Sequence, residues 1–264
     1  MSNFLQVVGR SAINFVDLSG RIFLFWIDVM LKCVTPRFYF SETVKQLYSI
    51  GVTSLLLTST VAISVGIVLA MQTIGTLEIF GATNYVSVVV GHAIVKEIGP
   101  VLTALMVAGR AGSGISAEIG SMRVTRQIDA ITVSAVNPTR YLVVTRVLAC
   151  MIAVPLLTVS ADLLGILGGM IIGVQQANIS LPLYVSYTIK YIGLKDFIPG
   201  LLKTIFFGML VGTVSCYYGM HATGGTEGVG NATKASVVTA SLAIMIFDVI
   251  ITRLLLWVFN ANIF

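Results

Sequence analysis

Of 264 residues, 56% are hydrophobic and 10% charged, and the mean hydropathy is +0.96. Soluble domains carry about a quarter charged residues, so this composition excludes a soluble protein and requires an integral membrane one. Long uncharged runs exclude a β-barrel, whose strands alternate over segments of about ten residues. The excess of 16 Lys and Arg over 11 Asp and Glu reports loop orientation and anionic headgroups rather than nucleic acid.

Residues 4–31 mix Phe4, Leu5, Val8, Ile13, Phe15, Val16, Phe23, Phe25 and Trp26 with Arg10, Asp17, Arg21 and Asp28. The uninterrupted apolar part, 22–27, is far shorter than the roughly 20 residues of a spanning helix. It predicts an amphipathic helix lying in the interface, with Trp26 at headgroup depth. No basic, apolar and small-residue segments follow one another as in a cleaved signal peptide, and Lys32, Arg37 and Lys45 place this end in the cytoplasm.

Residues 46–77 contain no charge and predict the first transmembrane helix, centred on 55–69. After a connection at 78–84 without Lys or Arg, the second helix starts near Tyr85, carries His92, Lys96 and Glu97 at membrane depth, and passes Pro100 toward Arg110. Arg110, Arg123, Arg126, Arg140 and Arg146 make the next connection cytoplasmic. The third helix, 141–174, holds Gly165, Gly169 and Gly173 at consecutive GxxxG spacings, which cut a packing groove along one face. Residues 175–198 predict an outer connection with a short interfacial helix. The fourth helix covers 199–220 with Gly208 and Gly212, a glycine-rich inner loop covers 221–234, and the fifth helix, 235–259, carries Asp248 and Arg253 and leaves the C-terminus outside. The fold class is all-α: one domain over 1–264, with an interfacial helix within 1–40 and five transmembrane helices within 46–260.

Charges at the bilayer centre cost at least about 2.5–3.5 kcal/mol each, so Lys96 and Glu97 need a partner or a wet cavity. His92 lies one turn before Lys96 on the same face, whereas Glu97 is rotated by about 100°. Pro100 lacks an amide hydrogen and clashes with the carbonyl four residues back, that of Lys96, which predicts a kink and a free carbonyl beside the charges. Two readings stay open: a cavity patch that meets the headgroup of an amphiphile, or an internal ion pair to Asp248 or Arg253. Gln72 faces either the same cavity or the headgroups. Leu77 and Phe80 are candidate gate residues at the outer mouth, where aromatic anchoring explains Phe80 equally. Asp162 has no partner that the sequence names.

In the segment 111–130, Ser121 is a candidate N-cap for a short helix, MRVTRQIDAI, with Arg123, Arg126 and Asp129 three apart. Such a helix fits a cleft on a partner protein; the alternative is an interfacial helix on anionic lipid. Enzyme signatures are missing: the two histidines, His92 and His221, form no HExxH, there is no GxSxG, and Asn231 follows Gly225 and Gly230 where a Walker motif needs lysine. Cys33, Cys150 and Cys216 have no CxxC spacing, which argues against a disulfide framework or a zinc site. A non-enzymatic subunit without metal or cofactor is expected, driven by a partner or by a gradient.

The run KEIGPVLTALMVAGRAGSGISAEIGSMRVTRQIDAI, followed by NPTRYLVVTRVLA, LLGILGG and GGTEGVGNATKASVV, resembles the MlaE permeases, membrane subunits of ABC transporters that work with MCE proteins. The resemblance covers about 46–260. It implies a homodimer in the bacterial inner membrane, with an MlaF-like ABC ATPase on each copy, a periplasmic MlaD-like MCE hexamer and an MlaB-like STAS-domain protein on the ATPase. The implied activity is ATP-driven movement of phospholipid between the inner membrane and the MCE protein, maintaining outer-membrane lipid asymmetry, with ATP bound by the partner. Lys96 and Glu97 would then be the charged residues of the lipid cavity, with Gln72, Leu77 and Phe80 the further candidates to line it, and Glu118, Arg123, Arg126, Gln127 and Asp129 would belong to the coupling helix and its approach. Many relatives have arginine before the glutamate; Lys96 keeps the charge without the guanidinium fork. The competing classes are a gradient-driven or passive lipid carrier using His92, Lys96 and Glu97, and a scaffold in which these charges are idle.

Overall fold

Uncharged apolar runs of this length satisfy their backbone groups in lipid only as helices, and the chain is helical accordingly. The computed structural model describes residues 2–33 and 39–260. Its helices are α1 (Ser2–Cys33), α2 (Phe40–Ile79), α3 (Val86–Ala93), α4 (Gly99–Val107), α5 (Ser113–Val124), α6 (Gln127–Val133), α7 (Thr145–Gln175), α8 (Leu181–Tyr191), α9 (Leu194–Met220) and α10 (Gly225–Asn260). Wider π-helical turns at Ile94–Ile98 and Ala108–Gly112 join α3, α4 and α5 into one rod, and a third, Thr139–Val144, leads into α7. Five stretches among the described residues are long and apolar enough to cross a membrane: Phe40–Ile79, Thr83–Val124, Thr139–Gln175, Leu194–Met220 and Gly225–Leu255. The chain is an all-α, multi-pass membrane protein.

The third span is the axis. In its most apolar stretch 67% of residues are buried, against 22% in the first span and 17% in the fifth, so α2 and α10 present their apolar faces outward while α7 is wrapped. Glycine makes this possible. Gly66 of α2 lies directly on the backbone of Gly165, Gly168 lies on the backbone at Ile63, and Gly208 of α9 rests on the Cys150 carbonyl of α7. The groove expected at Gly165, Gly169 and Gly173 serves several partners rather than one. Gly165 meets α2 and Ile94, Gly169 meets Val90 and the Tyr184 hydroxyl, and Gly173 lies under the Tyr184 ring, which a methyl group there would meet at 2.8 Å. Tyr184 of α8 is thereby 1% exposed.

Two apolar clusters divide the bundle. One joins Val107, Ile119, Val147, Val154, Phe207 and Val211 of the rod, α7 and α9; the other joins Ala70, Ile74, Val86, Val90, Ile172 and Tyr184 at the end carrying α8. Helix α1 docks on α9 at the opposite end. The Trp26 indole N–H donates to Met209 Sδ at 3.2 Å, and Phe25 stands edge-on to Tyr217 at 5.6 Å. Ile13, Val16, Phe23, Leu24 and Leu31 stay exposed, and Asp17–Arg21 and Asp28–Lys32 pair along the helix. Apolar residues on two sides and charge on a third give α1 an amphipathic character.

Several boundaries differ from those read in the sequence. The second span does not end near Arg110 but runs to Val124, because the small residues 108–116 keep helical geometry. Ser121 therefore lies inside α5 and caps nothing; the break comes at Thr125 and Arg126, the latter in the left-handed region at φ 59°. Lys195 and Asp196 belong to the first turn of α9, not to a connection, since Asp196 accepts the Gly193 amide at 3.2 Å and caps the helix. Helix α10 starts at Gly225, not 235. Only Gly224 and Gly225 need positive φ there; Gly228 is required for close approach, as it lies on the Thr223 carbonyl.

Because the α2–α7 crossing has no room for a methyl group at Gly66, Gly66→Ala should lower the melting temperature in detergent by several degrees, overpacking costing about 1–3 kcal/mol. Gly75→Ala, whose added carbon meets nothing within 4 Å, should leave it unchanged. Thermal unfolding followed by size-exclusion chromatography distinguishes them; equal melting temperatures would contradict the crossing.

Candidate functional site

The site is built on the π turn Ile94–Ile98. Pro100 cannot donate to the Lys96 carbonyl, and the Gly99 amide bonds back to Ile94, one residue farther than in an α-helix. The freed Lys96 carbonyl accepts from the Lys203 ammonium of α9 at 3.3 Å, which is the free carbonyl beside the charges that the proline predicts. His92 and Lys96, on one face, both turn to Asp196: Lys96 Nζ lies 2.7 Å from Oδ1, and His92 Nε2 lies 3.7 Å from Oδ2. Glu97, rotated away from them, accepts from Lys203 Nζ at 2.7 Å.

Lys203 is the hub. Its ammonium also reaches Thr252 Oγ1 at 2.6 Å and Asp248 Oδ1 at 3.3 Å, and the Thr252 hydroxyl donates onward to Glu97 Oε1 at 3.3 Å. The Lys203 side chain is 3% exposed, whereas those of Glu97 and Lys96 are 42% and 45% exposed. A buried cation of the fourth span is thus held by two carboxylates, a hydroxyl and a carbonyl from the second and fifth spans. Its neighbours on the π turn show opposite charges at the surface of the chain. Asp248 belongs to this network through Lys203, while Arg253 is exposed and stands outside it.

Sequence reasoning missed Lys203, Asp196 and Thr252. Lys203 is a lone charge in an apolar stretch, a signal of the same kind as Lys96; Asp196 was hidden by the misplaced start of α9; and a threonine among apolar residues carries no signal. Of the other residues singled out, Gln72 is exposed on α2, Leu77 packs against the cluster at the α8 end, and Phe80 is 76% exposed just beyond α2. The hydrogen bonds and ion pairs described for Lys96 and Glu97 include none of these three. Asp162 is 2% exposed; its Oδ1 has no hydrogen-bond partner and packs against Gly99.

At the other end of the rod, Arg123 Nη1 donates to Asp129 Oδ1 at 3.1 Å across the left-handed turn, bracketing α5 and α6. Arg126 and Gln127 are exposed. Glu118 turns inward, its Oε1 lying 2.9 Å from Arg146 Nη2. Among the described residues no three His, Cys, Asp or Glu gather in a way that could hold a metal ion.

Comparison with known proteins agrees with this architecture. The sequence profile of the family described as Permease MlaE matches residues 43–254. A "Probable ABC transporter permease protein" of Rickettsia typhi is 37% identical over 253 residues, covering 96% of this chain and 98% of the relative. The "Intermembrane phospholipid transport system permease protein MlaE" of Haemophilus influenzae is 32% identical over 254 residues, covering 96% and 97%. A "Probable ABC transporter permease protein" of Synechocystis is 34% identical over 228 residues, covering 86% and 87%.

Removing one member of a buried ion cluster leaves an uncompensated charge, which typically costs about 3–5 kcal/mol. Lys203→Met should therefore strongly destabilise the protein in detergent, and Lys203→Met combined with Glu97→Gln and Asp248→Asn should recover a large part of the loss. Thermal unfolding measures both; no recovery in the triple variant would contradict the hub.

Proposed function

Since the chain belongs to the MlaE permease family, we propose that it is the non-catalytic transmembrane subunit of an ABC transporter that moves phospholipid, with ATP hydrolysed by a partner subunit. The observation that carries the reading is the half-exposed Lys96 and Glu97 on one π turn. A cation and an anion at membrane depth, each steadied by a partner less exposed than itself, suit a zwitterionic or phosphate-bearing headgroup, while apolar faces receive the acyl chains. Lys96 meets a phosphate as a point charge, without the two-pronged contact of arginine.

The working assembly is two copies of the permease around a shared cavity, with an ATPase on each and a periplasmic MCE protein above, in a bacterial inner membrane. A STAS-domain protein on the ATPase completes it. Arginines at 123, 126, 140 and 146 put the α6 end in the cytoplasm, which leaves the C-terminus periplasmic. The ATPase meets Arg123, Arg126, Gln127 and Asp129; Glu118, engaged with Arg146, serves from within. Closure of the ATPase pushes on α6, the rod moves, and the cavity releases its lipid toward the MCE protein.

The test is purification from native membranes followed by reconstitution. An ATPase should co-purify, and transfer of fluorescent phospholipid between vesicles should require ATP. Transport by the isolated subunit without ATPase would favour the gradient-driven or passive carrier and overturn this reading. Exposed ion pairs contribute only about 0–1 kcal/mol, so replacing Arg123 and Asp129 together by alanine should preserve the fold while uncoupling ATP hydrolysis from transfer. Glu97→Gln, which leaves Lys203 an amide oxygen in place of the carboxylate and keeps Asp248 beside it, should weaken transfer with the complex still assembled.

A further inference from the structure

Helix α5 is gripped at its α6 end from three sides. Gly219 of α9 packs against Ile119, 2.8 Å separating the position of a methyl on Gly219 from Ile119 Cβ, and Gly120 packs against Ala222 and Val229. The third grip is of another kind. Arg146, the second residue of α7, is 2% exposed, yet it extends one arm of its guanidinium to Glu118 of α5 at 2.9 Å. The other arm donates to the Leu142 carbonyl, four residues back on its own chain, at 2.9 Å. Its Nε has no hydrogen-bond partner.

We propose that Arg146 is a positioning residue that clips α5 to α7, so that a push received at α6 is delivered to the axial helix of the bundle. The inference rests on the ATP-driven reading above. Stability alone does not account for the pair, because a buried ion pair replaced as a pair by apolar residues of similar volume is often no less stable. A planar fork with one arm fixed on its own helix does supply a link of defined direction, which a lysine cannot. Its position supports the same role. Glu118 lies seven residues before Thr125, about 10 Å along the helix from the left-handed turn. The direct route up the rod toward Lys96 passes instead through the wider π turn Ala108–Gly112. The clip bypasses that turn and enters α7, which carries Gly165 against α2 and Cys150 against α9.

The experiment uses the complete complex in liposomes and reads phospholipid transferred per ATP hydrolysed. In Arg146→Met this ratio should fall about tenfold, within the range by which contiguous packed networks modulate coupling, with the ATPase still bound and turning over. Arg146→Lys should be intermediate, and adding Glu118→Gln to Arg146→Met should cause no further fall, since the pair acts as one unit. A ratio in Arg146→Met equal to that of the wild type overturns the clip. Should Arg146→Met fail to accumulate, Glu118→Gln alone, at a half-exposed position, must show the same fall, and an unchanged ratio there overturns the clip as well. The underlying reading fails separately, on the wild type, if its transfer does not depend on ATP.

Discussion

One ammonium group, that of Lys203, fixes the relation between three membrane spans. It is almost entirely buried and is satisfied only because Glu97 and the Lys96 carbonyl come from the second span while Asp248 and Thr252 come from the fifth. In an apolar interior a cation separated from its partners is costly, so the three helices hold their register around this point. The exposed character of Lys96 follows from the same constraint. With Glu97 turned inward to Lys203, the preceding residue turns to Asp196 at the rim of α9.

The backbone makes the arrangement possible. A regular helix through Pro100 would leave a carbonyl without a donor and a ring in collision with it. The π turn absorbs the ring, and the Lys203 side chain supplies the missing donor. A proline, a lysine on another helix and an extra residue in one turn therefore form a single structural solution. The α6 end is built on different terms. Its Arg123–Asp129 bracket is exposed and contributes little to stability, whereas the buried Arg146 anchors the same region to the bundle.

Much of this was legible in the sequence where chemistry acts locally. The short apolar run beside Trp26 predicts an interfacial helix, and a helix of that character packs on α9 through Phe25 and Trp26. Pro100 predicts the freed carbonyl of Lys96, and helical spacing sets His92 and Lys96 on one face with Glu97 rotated by about 100°. What could not be read is long-range or geometric. Lys203 is 106 positions from Glu97, and nothing in either neighbourhood names the other. The π turns at Ile94–Ile98 and Ala108–Gly112 have no compositional signature. Arg126 is not a residue expected at positive φ, and the side chain suited to capping in this segment is that of Ser121, so residue types alone point to the wrong break. The glycines after His221 suggested a loop, but Gly228 serves close packing within a helix.

The most direct measurement of whether this Lys203-centred site is loaded with lipid and emptied by a partner's ATP hydrolysis is native mass spectrometry of the assembled complex, before and after nucleotide. Bound phospholipid should be retained with a non-hydrolysable ATP analogue and lost with ATP when an acceptor is present. Phospholipid occupancy that is absent from the start, or unaffected by ATP, would contradict it.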